Sequence, residues 1–133
     1  MAKYSKGFLN LVENARQNVP EMSPADVFAK MQRKEFFYLI DVREEHEWVR
    51  ARIPKARHLG KGVIERDIES LIRDVNAPIV LYCGGGVRSL LAADGLLRMG
   101  YVNVTSMDGG IRAWHKEGLP LEPGVLTAMD TQS

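Results

Sequence analysis

The chain has one cysteine, Cys83, followed at once by Gly84, Gly85 and Gly86 and then by Val87, Arg88 and Ser89. A cysteine attacks as its thiolate, and an isolated thiol titrates near about 8.5, so its surroundings must favour the anion for it to act at neutral pH. This run of residues is composed to do that. It lies between a β-prone stretch, "PIVLYC", and a helix-prone one, where consecutive glycines let successive backbone N–H groups turn toward a single point. The start of the following helix adds unpaired N–H groups and the positive end of its dipole. Arg88 adds a permanent charge suited to an oxyanion. The pattern predicts a reactive Cys83 thiolate in an anion-binding loop made of Gly84, Gly85, Gly86, Val87, Arg88 and Ser89. The competing reading is a buried, inert cysteine, because Cys packs like a small hydrophobe; the glycines and the arginine weigh against it.

Such a loop must be held by a strand before it and a helix after it, and the chain reads as a series of such pairs. "EMSPADVFAKMQRKE" opens a helix with Ser23 as N-cap, Pro24 at the first helical position and Asp26 three residues beyond the cap. "FFYLIDV", residues 36–42, is nearly continuous in hydrophobicity, as a strand buried on both faces should be. "REEHEWVRAR" reads as a short helix, with a break at Pro54 and a brief extended piece at His58 and Leu59. Ile64, Ile68, Leu71, Ile72 and Val75 recur at helical intervals until Asn76 and Pro78. Residues 89–99 form a helix with Asp94 and Arg98 on its wet edge and Gly100 as its stop; "VNVTSM" is a strand and "GIRAWHKEG" a last short helix. Near the start, Phe8, Leu11, Val12 and Ala15 make the apolar stripe of an amphipathic helix packed on its own domain, a better reading than an organelle presequence because Glu13 interrupts the basic face. Alternating buried strands and helices predict an α/β fold whose parallel sheet is covered on both faces and binds its ligand at the carboxyl ends of the strands. Cys83 sits at such an end.

Composition narrows the partners. The 133 residues are enough for one ordinary domain, and 45% hydrophobic with 26% charged residues describes a globular chain. Eighteen basic residues against 17 acidic ones leave a net charge of +1, which gives no global field for nucleic acid or an anionic membrane. A single cysteine and the lack of a long apolar run lead to the expectation of a cytoplasmic protein. His46, His58 and His115 are spread over separate elements, so no metal site is expected. Trp48 and Trp114 read as core and Met99 and Met107 as packing. Arg50, Arg52, Lys55 and Arg57 read as a solvated edge that can also receive an acidic carrier protein.

Three motifs in order make the chain resemble a single-domain rhodanese, a sulfurtransferase, over about residues 23–123. The six-residue loop from Cys83 to Arg88 matches the family's active-site loop position by position; Asp41, Val42, Arg43, Glu44, Glu47 and Trp48, then Ile53, Pro54 and Ala56, resemble its earlier signature; and Asp108, Gly109, Gly110, Trp114, Gly118, Leu119 and Pro120 resemble its closing pattern. The chain departs from the family at Ala51, Arg52 and Lys55, where a Gly-His pair and a glycine are common. The resemblance implies a rhodanese-like α/β domain at 23–123, with a central parallel sheet of about five strands and helices on both faces. A helical extension at 1–22 and a tail at 124–133 would flank it. It also implies that Cys83 takes sulfur from thiosulfate or a similar donor as a persulfide and passes it to a thiol, to cyanide or to a sulfur-carrier protein, with no cofactor. Related mercaptopyruvate enzymes tend to end the loop in threonine, so Arg88 argues for an oxyanionic donor.

Two other enzyme readings and one from a different class compete with it. Cysteine-dependent phosphatases and arsenate reductases also close a strand-to-helix loop with arginine, but their loops are one residue longer between the two than the four found here. A dinucleotide site is suggested by Gly84, Gly86 and Asp108 but lacks the final glycine, replaced by Ser89, and the sheet to complete it. A module that binds a partner, carries persulfide or senses oxidation without turnover remains open; reaction of Cys83 with iodoacetamide at low pH separates a reactive thiolate from an inert thiol.

Overall fold

The computed structural model describes residues 4–123, so the tail expected at 124–133 lies outside the described residues. In chain order the elements are α1 (Lys6–Arg16), β1 (Glu21–Met22), α2 (Pro24–Gln32), β2 (Tyr38–Asp41), α3 (Glu45–Arg50), β3 (Ala51–Arg52), β4 (Arg57–His58), α4 (Ile64–Leu71), β5 (Ile79–Tyr82), α5 (Arg88–Arg98), β6 (Val104–Met107), α6 (Gly110–Lys116) and β7 (Glu122–Pro123). Five strands form one parallel sheet in the order β1-β6-β5-β2-β4, and β3 and β7 make a small antiparallel pair beside it. Among the described residues no helix is long and apolar enough to cross a membrane.

The central strand shows why the sequence is apolar without alternation. Ile79 and Leu81 of β5 join a core with Val12 and Ala15 of α1, Ile64 and Ile68 of α4, and Leu90, Ala93 and Leu96 of α5. Val80 and Tyr82 join another with Val27 of α2 and Ile111 and Trp114 of α6. Successive side chains of a strand point to opposite faces, so both faces demand hydrophobes when helices cover both. The parallel register sets Asp41 beside Tyr82 and Leu81 beside Ser106, which brings the carboxyl ends of β2, β5 and β6, and the loops after them, to one edge of the sheet.

Local signals are legible at the helix ends. Ser23 Oγ accepts the Asp26 N–H at 3.1 Å with Pro24 opening α2, and Gly100 ends α5 with φ near 108°. The segment before Ser23 shares its core with the rest of the domain: α1 packs on α5, and β1 forms the edge strand beside β6.

Some expectations change. The strand expected at 36–42 narrows to Tyr38–Asp41; Phe36 is exposed and meets the Tyr38 ring edge-on. The helix expected through Val75 stops at Leu71, because Ile72 turns extended to place its side chain in the core while Val75 faces solvent. Leu11 belongs to the apolar stripe of α1, yet it is 56% exposed while Val12 is 2% exposed. The contact with α5 is narrower than the stripe. Trp114 is fully buried, its Nε1–H donating to Pro120 O at 2.7 Å, but Trp48 is only half-buried, stacked on His58 at 5.2 Å and under Arg52 at 4.7 Å.

Candidate active site

Cys83 follows β5 directly and is fully buried. Its sulfur is surrounded by polar groups. Sγ accepts the Gly86 N–H at 3.1 Å and the Ser89 N–H at 3.4 Å, and lies 3.5 Å from Ser89 Oγ. Val87, the N-cap of α5, supplies no side-chain cap. The sulfur fills that role by taking an N–H from the first turn of the helix, so the thiol sits on the helix N-terminus where negative charge is favoured. Ser89 Oγ in turn meets Ser106 Oγ of β6 at 2.8 Å, giving a buried chain of sulfur and two hydroxyls. The loop reaches solvent at Gly85, Val87 and Arg88, which are half-buried.

The loop is shaped from outside as well as within. The first N–H groups of α6 donate to it, Ile111 to Cys83 O at 2.8 Å and Arg112 to Gly84 O at 3.0 Å. A trans peptide points its N–H opposite to its carbonyl, so this anchoring turns the N–H groups of Gly84 and Gly85 away from α6. Only Gly86 of the three loop glycines has a left-handed backbone, with φ near 96°, and a Cβ there would stand 2.9 Å from Gly109 N. Gly110, φ near 60°, is tighter still, since its Cβ would fall 2.5 Å from both Cys83 O and Gly84 O. Glycine is therefore required at Gly86, at Gly109 and at Gly110, which opens α6.

The sequence leads one to expect Arg88 facing a bound oxyanion. In the structure its guanidinium is engaged with Glu47 of α3, Nη1 to Oε2 at 2.9 Å and Nη2 to Oε1 at 3.3 Å. Glu47 also forms a capping box with Glu44. Burial works against its charge, but the hydrogen bonds from Arg88 and from the Glu44 N–H, with the charges of Arg88 and Arg43, hold the Glu47 carboxyl below its ordinary value. Asp41 and Arg43 form a second, fully buried pair at 2.8 Å, and Arg43 Nη2 also donates to Ala51 O at 2.6 Å. Together with the Arg43 N–H, which donates to Asp41 Oδ1 at 2.9 Å, they fix the chain after β2. His58 Nε2 lies 2.8 Å from Arg43 O, and as a carbonyl only accepts, that nitrogen carries the proton. Among the described residues no group of three acidic, histidine or cysteine side chains is placed to hold a metal ion. Two site neighbours, Glu47 in its contact with Arg88 and Ser106, have no signal in the sequence near Cys83; each comes from a distant strand or helix.

The chain thus combines a five-stranded parallel sheet covered by helices with a cysteine-opened loop seated on a helix N-terminus. The model of the Rhodanese-like domain matches residues 23–117, and the chain belongs to that family. Among relatives, YtwF of Bacillus subtilis, a putative sulfurtransferase by name, is 35% identical over 102 residues, covering 77% of this chain and 96% of its own length. GlpE of Vibrio cholerae serotype O1, a thiosulfate sulfurtransferase, is 32% identical over 115 residues, covering 86% and 95%. Among solved structures, RPA3614 of Rhodopseudomonas palustris CGA009, described as a protein of unknown function and possible tyrosine phosphatase, aligns with a TM-score of 0.82 at 26% identity, covering 92% of this chain and 98% of its own.

Proposed function

We propose that this protein is a sulfurtransferase that carries sulfane sulfur as a persulfide on Cys83, taking it from thiosulfate or a similar small donor. The observation that carries the reading is the pair of backbone N–H groups, from Gly86 and Ser89, directed at Cys83 Sγ. Donors so placed favour sulfur in its anionic form and keep doing so after a second sulfur is added. In the first step the Cys83 thiolate attacks the outer sulfur of thiosulfate; the new Sγ–S bond forms as the S–S bond to the sulfonate group breaks, and its electron pair leaves with sulfite. In the second, a thiolate or cyanide attacks the outer sulfur, and the electrons of the Sγ–S bond return to Cys83. Small thiols, cyanide or a carrier protein are the acceptors, and a reducing cytoplasmic setting suits a lone thiol.

The test is the intact mass of the protein after incubation with thiosulfate. The expected result is a gain of about one sulfur atom, removed by cyanide and absent from Cys83→Ala. Absence of the gain in the unmutated protein overturns the reading. A phosphate ester that is hydrolysed, with no gain of sulfur, points instead to the phosphatase alternative.

A further inference from the structure

Four charged side chains gather beside the Cys83 loop and cancel in pairs: Asp41 with Arg43, and Glu47 with Arg88. The second pair is the one that matters for a donor. Arg88 opens α5 and its charge lies within electrostatic reach of Cys83. Glu47, 8% exposed, holds that guanidinium through both carboxylate oxygens while Oε2 also accepts the Glu44 N–H at 2.9 Å, so it is fixed from two elements. Arg88 Nε is buried with no hydrogen-bond partner among the described residues. An anion arriving at the loop therefore meets backbone dipoles and a neutral ion pair, not a free cation.

We propose that Glu47 is a specificity-determining residue, which by neutralising Arg88 weakens the binding of doubly charged donors and favours singly charged ones such as alkyl persulfides and thiosulfonates. This rests on the sulfur-transfer reading of the site and refines its donor class. The physical reason is the strength of a charge at contact range: a free guanidinium next to the loop favours a dianion over a monoanion, whereas a compensated one discriminates little.

The experiment reads binding without turnover, so that it stands apart from the persulfide test. Thiosulfate and methanethiosulfonate are titrated calorimetrically into Cys83→Ala and into Cys83→Ala carrying Glu47→Gln, which keeps an acceptor for the Glu44 N–H and removes the charge. Thiosulfate should bind about tenfold more tightly with Glu47→Gln, and methanethiosulfonate by a clearly smaller factor. In a background of Cys83→Ala and Arg88→Gln, where Glu47 has lost its hydrogen-bonded cation, adding Glu47→Gln should again tighten thiosulfate binding by about tenfold. Unchanged or weaker thiosulfate binding in both backgrounds overturns the proposal, as does an equal gain for both anions. A persulfide test that fails while these affinities shift as stated removes sulfur transfer and leaves the charge role of Glu47 standing; the reverse pattern removes the charge role alone.

Discussion

At the scale of single residues, the site is a sulfur atom wired to hydroxyls and backbone N–H groups. Ser89 serves twice, through its N–H and through Oγ, which links Cys83 Sγ to Ser106 Oγ. Ser89→Ala keeps the N–H but strands the Ser106 hydroxyl in the core, and should lower stability by about 1–3 kcal/mol by chemical denaturation. Adding Ser106→Ala should recover most of that loss, because both polar partners are then gone; a double variant as unstable as the sum of the two singles would show that the hydroxyls do not act as a pair. Glu47 gives a pH signature. Its carboxyl is held below the ordinary value in the fold, so its ionised form stabilises the protein fully above the unfolded-state value and that contribution is lost as pH falls through the folded value. The stability lead of the unmutated protein over Glu47→Gln should be present at neutral pH and shrink below about pH 4. A lead that stays constant down to about pH 2 would contradict the ion pair.

At the scale of elements, the loop after β5 is clamped by the helix after β6. Two N–H groups from the first turn of α6 hold the carbonyls of Cys83 and Gly84, which both satisfies that helix end and fixes the peptide planes around the sulfur. The approach is close enough that only glycine fits at position 110. Gly110→Ala adds a methyl group against two backbone oxygens at a positive φ, and should cost about 2–4 kcal/mol in stability and abolish thiosulfate-dependent sulfur loading of Cys83. Full loading in a variant of lowered thermal midpoint would mean that the clamp supports the fold without shaping the loop. The loop's own Gly84 and Gly85 carry no positive φ, so their presence is not dictated by backbone conformation.

At the scale of the whole molecule, two cores sandwich one parallel sheet, and the N-terminal helix belongs to one of them. Val12 and Leu11 are neighbours with opposite fates, and stability should report it: Val12→Ala should cost about 2 kcal/mol through lost burial and a residual cavity, while Leu11→Ala stays within about 0.5 kcal/mol. Equal effects would mean that α1 is not docked on α5 in solution. What the amino-acid sequence determined by itself was whatever is local in cause: the caps at Ser23 and Gly100, the apolar run of β5, the succession of the helices with β2, β4, β5 and β6 but not the short strands β1, β3 and β7, and the cysteine at a strand-to-helix junction. Each arises from torsional preference or from the burial of a contiguous stretch. The helix stopping at Leu71, the half-exposure of Trp48, the demand for glycine at 110 and the pairing of Arg88 with Glu47 across 41 positions were decided only by tertiary structure. They arise where segments remote along the chain meet within a few ångströms, and steric fit and charge at such meetings depend on relative placement, which no local spacing encodes.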